Sequence, residues 1–495
     1  MAMRGSQILA GALALGFSAA SGQEVKVDWT SIQMVSRTTA TLQVVVNPPL
    51  RRGSAIHDRV FAELQNLGAD YVRYVPWLPY PRLAVAELEP PSGDRTFWDF
   101  SLIDPMTVDF LNATSGHSTV LNFSTIPAWM FVTPQRVDYP AEPDAVTWSY
   151  TQGTELRDPT GREVGDYFAR LVSWYANGGF TDEVGVWHDS GHHFPIPYWE
   201  VLNEPDLEHG TTAEQYTARY DAIVSAIHKV SPSTRFVGIS LAYPGAHPEY
   251  FEYFLNPQNH GRGIPRDMIS YHFYASPSPG ETPEVQQYTF FTQADGFITT
   301  VRYIESIRRR LSPETRTTVN EIGCISDDDF GQGAPGYVRK GVPDSYWNLC
   351  GAVYAYVYGR LAQLGIDVAG ESQLVGYPTQ FPSVSLVDWT TGAPNARFRV
   401  LELLKEHFRP GDKIVASSSG TPDVYALAFV CSGGEHRLLL VNKRERDVEL
   451  TLPGSGELEF VDQNTKGDAP GRQTIVAGRI TLHGFSVAVA TLRTE

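Results

Sequence analysis

The stretch that most constrains this fold runs from Tyr198 to Asp206 and reads Tyr-Trp-Glu-Val-Leu-Asn-Glu-Pro-Asp. Its aromatic and β-branched residues favour a strand, and Pro205, which has no N–H for a strand ladder, ends that strand directly after Glu204. Side chains alternate across a strand, so Glu200, Leu202 and Glu204 are predicted on one face. Because ligands bind at the carboxyl ends of strands in parallel α/β folds, Glu204 is predicted at a ligand-binding edge.

A second stretch has the same design. Arg316 to Gly323 is a β-branched run that ends in Asn320-Glu321 and a glycine. A glutamate at a strand end is often only a solvated residue entering a loop, but the strand and helix patterns between the two stretches favour a shared site. Two carboxylates brought to one edge are what cleavage of a glycosidic bond requires, because one group donates a proton while the other attacks or activates water.

Composition narrows the classes of partner. The chain has 495 residues, 42% hydrophobic content and a formal charge of −17, which is enough for a large core and a smaller second domain. An acidic chain without a Lys/Arg-rich stripe is a poor candidate for binding nucleic acid or an anionic membrane. The ten Trp and twenty-four Tyr suit stacking on sugar rings, although large cores also use aromatics.

The N-terminus has the pattern of a secretory signal peptide over residues 1–22. Arg4 supplies the positive start, Ile8 to Phe17 the apolar region, and small residues follow, with cleavage predicted after Ala20 or Gly22. We therefore expect a secreted protein, extracellular or periplasmic, or one held in another secretory-pathway compartment. The remaining sequence has no apolar run long enough to span a membrane.

Export would permit disulfides and glycosylation. Cys324 and Cys350 flank one insertion and are a candidate pair, which leaves Cys431 single. Asn112 begins an Asn-Ala-Thr sequon in a predicted helix-to-strand turn and is the candidate glycosylation site. Asn122 also begins a sequon, but it lies in a strand pattern and is the weaker candidate.

Between residues 36 and 409, strand and helix patterns alternate eight times. This predicts a closed (β/α)8 barrel with insertions, and an open doubly wound sheet is the alternative. The predicted strands are Thr41–Val46, Asp70–Val75, Ser118–Phe123, Tyr198–Glu204, Phe236–Leu241, Met268–Tyr274, Arg316–Glu321 and Ile366–Gly370 with its continuation to Gln373. The predicted helices include Ala55–Leu67, Asp104–Leu111, Val164–Tyr175, one opened by Thr212, Pro248–Leu255, Ile298–Leu311, Ser345–Leu364 and Asn395–His407.

The pattern changes after Pro410. Short alternating strands separated by Gly, Ser and Pro turns predict an antiparallel β-sandwich over residues 410–495. A strand from residues 23–35 could join it. The predicted strands are Val424–Val430, His436–Val441, Asp447–Leu452, Glu457–Val461, Thr474–Val476 and Phe485–Leu492.

With Glu204 on the fourth barrel strand and Glu321 on the seventh, the chain resembles the retaining glycoside hydrolases of clan A. It is most similar to family 39, which includes β-xylosidases and α-L-iduronidases. The motifs that carry this resemblance are Trp199-Glu200-x-x-Asn203-Glu204-Pro205, Ile269-Ser-Tyr-His272-Phe-Tyr274 and Ser385-Leu-Val-Asp388 through Gly392. Two insertions depart from the family pattern near the predicted rim, Gly178–Pro197 and Asp327–Pro343.

The resemblance implies that Glu204 is the general acid/base and Glu321 the nucleophile. A retaining mechanism then requires carboxyl groups about 5 to 5.5 Å apart. The family pattern places a cation on the second strand to keep the nucleophile ionised, and Arg73 is the candidate; the alternative is a structural salt bridge. Burial and the charge on Glu321 would keep Glu204 protonated.

The resemblance also supplies candidate sugar contacts. Asn203 would hydrogen-bond the sugar 2-hydroxyl, which requires a bulge or twist because strict alternation points it away from Glu204. One of His272 and Tyr274 would hydrogen-bond Glu321, the alternative being a satisfied core histidine. Further candidates for lining the sugar pocket, which could instead pack under loops, are Trp77, Trp129 and Glu371.

Other interpretations remain open. His188, His192 and His193 could ligate zinc if they shared a helix face, but Gly191 and polar neighbours favour a loop. A non-catalytic carbohydrate-binding barrel, an endo-acting glycanase and a transglycosylase are the alternatives to hydrolysis from a chain end. We predict a secreted, exo-acting, retaining O-glycoside hydrolase that needs no metal or cofactor and acts on an oligosaccharide, polysaccharide or simpler glycoside.

Overall fold

The computed structural model describes residues 23–148, 153–332 and 337–493. The predicted signal peptide lies outside the described residues. The described strands are β1 (Gln23–Val35), β2 (Thr39–Val45), β3 (Val72–Val75), β4 (Thr119–Leu121), β5 (Gly179–Thr181), β6 (Trp187–Asp189), β7 (Tyr198–Glu200), β8 (Arg235–Leu241), β9 (Met268–Ala275), β10 (Arg316–Cys324), β11 (Val368–Glu371), β12 (Lys413–Ser419), β13 (Val424–Val430), β14 (His436–Asn442), β15 (Val448–Thr451), β16 (Gly456–Val461), β17 (Gly471–Ile475), β18 (Arg479–Leu482) and β19 (Val487–Leu492). The described α-helices are α1 (His57–Leu67), α2 (Asp104–Ala113), α3 (Arg162–Ala176), α4 (Ala213–Val230), α5 (Pro248–Phe254), α6 (Pro283–Leu311), α7 (Asp344–Ala362) and α8 (Ala396–His407).

Eight parallel strands close into a barrel in the order β2, β3, β4, β7, β8, β9, β10, β11. Closure is made by β11 against β2, where Val368 pairs with Thr39. The predicted (β/α)8 fold is therefore confirmed, and the open sheet is wrong. Since β7 is the fourth barrel strand and β10 the seventh, their carboxyl ends open on the same rim.

The helices follow from their apolar spacing and their end residues. Thr212 and Gln215 form a reciprocal capping box that begins α4, and Gly68 in a left-handed conformation, with φ of 54°, ends α1. Helix α6 begins at Pro283, well before the predicted Ile298. The longer helix is explained by Phe290 and other residues that bury an apolar stripe through this first half.

The segment Gly178–Pro197, predicted as an insertion near the rim, instead joins α3 to the amino end of β7, opposite the rim, and contains a short hairpin. Strand β5 pairs antiparallel with β6 through Gly179 and Asp189. A carbonyl oxygen would lie 2.1 Å from a Cβ added at Gly179, so the close approach of the two strands requires glycine there.

The C-terminal region is a nine-stranded sheet in the order β17, β16, β19, β14, β13, β12, β1, β15, β18. All its pairs are antiparallel except β1 with β15. Alternate residues of each strand divide between two cores: Leu439 and Val489 pack with the barrel core, whereas Leu438 and Ala490 belong to a separate core on the other face. The predicted barrel with a terminal antiparallel β-domain is confirmed, although β12 and β18 were not predicted.

Other expectations concern single residues. Cys324, Cys350 and Cys431 are buried free thiols, so the proposed Cys324–Cys350 disulfide is absent. Asn112 is exposed in the last turn of α2, whereas Asn122 is buried beneath the barrel rim. Within the described ranges, none of the helices combines the length and the apolar character needed to cross a membrane.

Candidate active site

The backbone changes direction directly after β7, which ends at Glu200 rather than at the predicted Glu204. Leu202 and Glu204 have positive φ angles of 62° and 40°. Such conformations cost about 1 to 3 kcal/mol each and persist where the surroundings impose them. Here they break the alternation of the strand, so that Asn203 and Glu204 both face one cavity of about 670 Å³. The bulge or twist expected at the end of this strand is therefore present, as two residues in a left-handed backbone conformation.

Glu204 and Glu321 meet through His272 on the floor of this cavity. His272 Nδ1 lies 2.8 Å from a Glu204 oxygen, and its Nε2 lies 3.5 Å from a Glu321 oxygen. One side-chain atom from each of the three residues lies within 4.8 Å of the others. Two carboxylates from distant parts of the sequence thus converge on one point.

The surroundings of Glu321 favour its ionised form. The Arg73 guanidinium donates to one carboxylate oxygen at 2.5 Å, and the Tyr274 hydroxyl donates to the other at 2.6 Å. Burial alone would raise the pKa of Glu321, but His272, Arg73 and the Tyr274 hydrogen bond together lower it below its usual value. The group is therefore a carboxylate in mildly acid and neutral solution.

The surroundings of Glu204 favour its protonated form. Burial is the largest influence and raises its pKa, and the negative charge of Glu321 raises it further. The hydrogen bond from His272 opposes this shift without cancelling it. Two carboxyl groups with pKa values displaced in opposite directions form the pattern of a proton donor beside a nucleophile.

Arg73 organises the base of the site. It is almost fully buried, and its N–H groups reach Glu321 and four further acceptors. Those acceptors are Glu200, Gln43 at 2.6 Å, Asn203 at 2.6 Å and Ser240 at 3.1 Å. Arg73 therefore both lowers the pKa of Glu321 and links neighbouring strands, so the ion pair with Glu321 and the structural salt bridge considered from the sequence are both present.

Glu200 is the second anchor under the cavity. Its oxygens accept hydrogen bonds from Ser270, Asn320 at 2.7 Å, and Asn122, in addition to Arg73. Because Asn122 is buried in this network, its sequon is inaccessible. Glu200 was placed on the functional face by strand alternation, but its partners were not foreseen because they come from separate barrel strands.

Both the oxygen and the nitrogen of the Asn203 side-chain amide form hydrogen bonds with neighbouring residues. Its carbonyl oxygen accepts from Arg73 and from Ser240 at 3.2 Å, and its nitrogen donates to Glu208 at 2.8 Å. The Trp77 indole N–H donates to the same Glu208 oxygen at 2.6 Å. Among the described residues, the Asn203 amide nitrogen therefore uses one of its two hydrogens, and the residue lines the cavity. Glu208 was missed in the sequence, where its only signal was its position one turn after Glu204.

Two predicted pocket residues do not reach the cavity. Trp129 donates to the Glu87 carbonyl at 2.9 Å, and the Arg157 guanidinium covers its ring at 4.3 Å. Glu371 is fully buried and pairs with Arg397 at 2.9 Å. Both residues follow barrel strands as predicted, but packing turns their side chains away. In contrast, the lining includes Trp77, Asn203, His272 and Tyr274.

The histidines of the insertion do not converge. His188 pairs with Asp182 at 2.9 Å, while His192 pairs with Asp104 at 3.1 Å. The His193 ring packs against Gly178. Each histidine therefore has a separate structural contact, and the zinc interpretation has no support from their placement.

Two groups within the described ranges are dense enough to hold a metal ion, Glu204–His272–Glu321 and Glu406–His407–Glu459. In the first, the Glu321 oxygens already accept hydrogen bonds from Arg73 and Tyr274, and the His272 Nδ1 contact is directed at Glu204. In the second, His407 pairs with Glu459 at 2.8 Å. Hydrogen bonding accounts for both arrangements.

Comparison with protein-family models finds no match, and comparison with curated proteins finds none. Comparison with solved structures finds many. The GH51 arabinofuranosidase from Xanthomonas axonopodis pv. citri superposes with a TM-score of 0.64 at 12% identity, covering 95% of this chain and 100% of that one. The family 51 α-L-arabinofuranosidase AbfB from Bifidobacterium longum gives 0.61 at 13% identity, with 95% and 99% covered.

A GH30 endoxylanase from Clostridium papyrosolvens C71 is similar at a TM-score of 0.55 and 14% identity, covering 95% of this chain and 100% of that one. Likenesses at such low identity establish the fold: a (β/α)8 barrel with a β-domain, as in glycoside hydrolases of families 51 and 30. The narrower resemblance to family 39 stays a prediction.

Proposed function

We propose that this protein is a retaining O-glycoside hydrolase that acts by double displacement. The observation that carries the proposal is the pair of unequal carboxyl groups, Glu204 and Glu321, with oxygens within 4.8 Å of each other. This spacing suits the retaining mechanism, in which the carboxyls lie about 5 to 5.5 Å apart, and not the inverting one, which needs about 6.5 to 9.5 Å. The fold shared with glycosidases of families 51 and 30 supports the same class.

In the first step, the Glu321 carboxylate attacks the anomeric carbon while Glu204 transfers its proton to the departing glycosidic oxygen. The product is an ester between the sugar and Glu321. Glu204, now ionised, takes a proton from water, and the resulting oxygen nucleophile attacks the anomeric carbon and releases Glu321. Arg73 and Tyr274 hold Glu321 in its attacking orientation throughout.

The lining of the cavity favours a neutral sugar. Among its described residues there is no lysine or arginine, since Arg73 lies behind Glu321. A uronic acid would bring a carboxylate next to Glu204, Glu321 and Asp329, and the protonated His272 ring in the lining is already paired with Glu204 and Glu321. A terminal arabinosyl, xylosyl or galactosyl unit fits better. Exo action and secretion are also parts of the proposal. Exo action rests on the insertion Asp327–Pro343, which contributes Asp329, Phe330 and Gln332 to the lining, and secretion rests on the N-terminal sequence.

The experiment that tests this function is hydrolysis of a panel of 4-nitrophenyl glycosides, followed by NMR of the anomeric proton of the first-formed sugar. We expect turnover of at least one neutral glycoside with retention of configuration, unchanged by a chelator. Binding without turnover would support the carbohydrate-binding alternative. Inversion of configuration would contradict the assignment of Glu321 as nucleophile.

His272 gives the proposal a specific pH dependence. Burial would lower its pKa, but the charges of Glu321 and Glu204 raise it, so the ring is protonated in mildly acid solution. Its charge lowers the pKa of both carboxyls. The acid limb of kcat/KM reports Glu321 losing its proton, and the alkaline limb reports Glu204 losing its own. We therefore expect His272→Asn to move both limbs to higher pH.

The measurement is the pH profile of kcat/KM for the best aryl glycoside. His483→Asn is the matched control, because His483 pairs with Asp447 in the terminal sheet and is remote from the cavity. Its profile should coincide with that of the wild type. An unshifted profile for His272→Asn would mean that the charge of the imidazole ring does not lower the pKa of either carboxyl group.

A further inference from the structure

One side of the cavity, next to Glu204, is mainly apolar, and Thr300 beside Gly245 is a polar residue within it. Leu207 follows Glu204 by one turn, with its N–H donating to the Glu204 carbonyl at 2.8 Å. The loop after β8 adds Ala242 to Ala246, and Phe273 and Phe297 stack at 4.6 Å beneath it. All of these residues line the cavity. We call this set, Leu207, Ala242–Ala246, Phe273 and Phe297, the apolar flank.

Two large side chains of the apolar flank are left open to solvent. Leu207 is 43% exposed and Tyr243 is 55% exposed. Asp206 holds them in place, because its carboxylate accepts the backbone N–H groups of Ala242 at 3.1 Å and of Tyr243 at 2.9 Å. A built loop that presents apolar side chains beside a reactive carboxyl indicates a binding surface.

The apolar flank has few groups that could satisfy sugar hydroxyls. Its amides at Ala242 and Tyr243 are bound to Asp206, the Ala246 N–H donates to the Tyr243 carbonyl at 3.0 Å, and Pro244 has no N–H. The polar groups that remain include the Gly245 N–H and the Tyr243 hydroxyl at the exposed end of its side chain. A sugar ring placed here would lose hydration of several hydroxyls without replacing their hydrogen bonds. The lining towards Glu321 also contains apolar residues, among them Val45, Val75 and Trp77, but it adds the amide side chains Gln43, Asn203 and Gln373.

The position of Glu204 decides which part of a substrate meets each side. The general acid must reach the glycosidic oxygen, and the leaving group begins at that oxygen. The residues around Glu204 therefore contact the leaving group, whereas the amide side near Glu321 contacts the sugar that becomes attached to it. We propose that the apolar flank is a subsite for a hydrophobic aglycone, so that the substrates are aryl or alkyl glycosides rather than oligosaccharides. This inference rests on the proposed function.

The test is a series of methyl, butyl, hexyl and octyl glycosides of the sugar preferred in the panel, compared with a disaccharide of the same terminal sugar. Burial of each methylene on the flank should lower KM about two- to fourfold, until the flank is filled. The disaccharide should have a KM above that of the hexyl glycoside. A KM that is independent of chain length, or lowest for the disaccharide, would overturn the inference and leave the glycosidase assignment intact.

Leu207→Ser combined with Tyr243→Ser should abolish the dependence of KM on chain length. Val476→Ser is the matched control, because Val476 is 71% exposed in the terminal domain, and this variant should keep the full dependence. Calorimetric binding of octyl and methyl glycosides to unmodified protein gives a readout that does not need turnover. Tighter octyl binding without hydrolysis of any glycoside would support the subsite and contradict the proposed function. Equal binding of both would overturn the subsite.

Discussion

Glu321→Ala is expected to lower kcat/KM for every glycoside by at least about 10⁴-fold, because the variant has no group that can form the covalent intermediate. The loss should be independent of the leaving group. Azide should partly replace the missing carboxylate by attacking the anomeric carbon directly, which gives a glycosyl azide of inverted configuration. The measurements are steady-state kinetics with good and poor leaving groups, and NMR of the azide product.

Loss of Glu321 also leaves Arg73 with one acceptor fewer in a buried site, so misfolding must be separated from loss of chemistry. Glu321→Gln keeps an oxygen to accept from Arg73, and its NH2 group can donate to the Tyr274 hydroxyl oxygen, so this variant should unfold at nearly the wild-type temperature while remaining inactive. Glu457→Ala, an exposed glutamate of the terminal sheet, should leave both activity and unfolding unchanged. Wild-type turnover by a folded Glu321 variant would show that the nucleophile lies elsewhere.

The barrel and its two carboxylates could be predicted because both depend on local pattern. A β-prone run closed by Pro205 and a β-branched run that reaches Glu321 bring these two glutamates to one rim once the strands are parallel. The side-chain partners depended instead on register between strands far apart in sequence. The acceptors of Arg73 come from β2, β7, β8 and β10 and from the segment after β7, and no spacing in the sequence brings them together.

Side-chain direction was the other limit. Glu371 and Trp129 both lie at the ends of barrel strands, as the pocket hypothesis required. However, Glu371 pairs with Arg397 and the Trp129 ring packs against Arg157, and both contacts lie outside the cavity. Strand ends were also overestimated: β7 stops at Glu200, and the positive φ angles at Leu202 and Glu204 depend on tertiary contacts such as the hydrogen bond from the Glu204 N–H to the Ser240 carbonyl at 2.9 Å. A local preference of these residues would not have produced that turn.

Glu204→Ala is expected to produce a loss that depends on the leaving group, unlike that of Glu321→Ala. Glycosides with poor leaving groups should lose about 10² to 10⁴-fold in kcat/KM, because the departing oxygen receives no proton. A 2,4-dinitrophenyl glycoside needs little protonation and should still form the Glu321 ester at a rate near that of the wild type. Hydrolysis of the Glu321 ester should then be slow, because the variant has no Glu204 carboxylate to take the proton from the attacking water. The result should be a burst of dinitrophenol and a protein whose mass is increased by one sugar.

Azide separates this second step from the first. It needs no base, so it should attack the Glu321 ester, restore turnover of the dinitrophenyl substrate and give a glycosyl azide of retained configuration, opposite to the product from Glu321→Ala. Glu204→Gln should also lose the alkaline limb of the pH profile, because burial and the charge on Glu321 raise the pKa of Glu204 and its ionisation ends activity at high pH. Equal losses for good and poor leaving groups, with no azide product, would show that Glu204 is not the general acid/base. The retaining mechanism proposed for Glu204 and Glu321 would then be wrong.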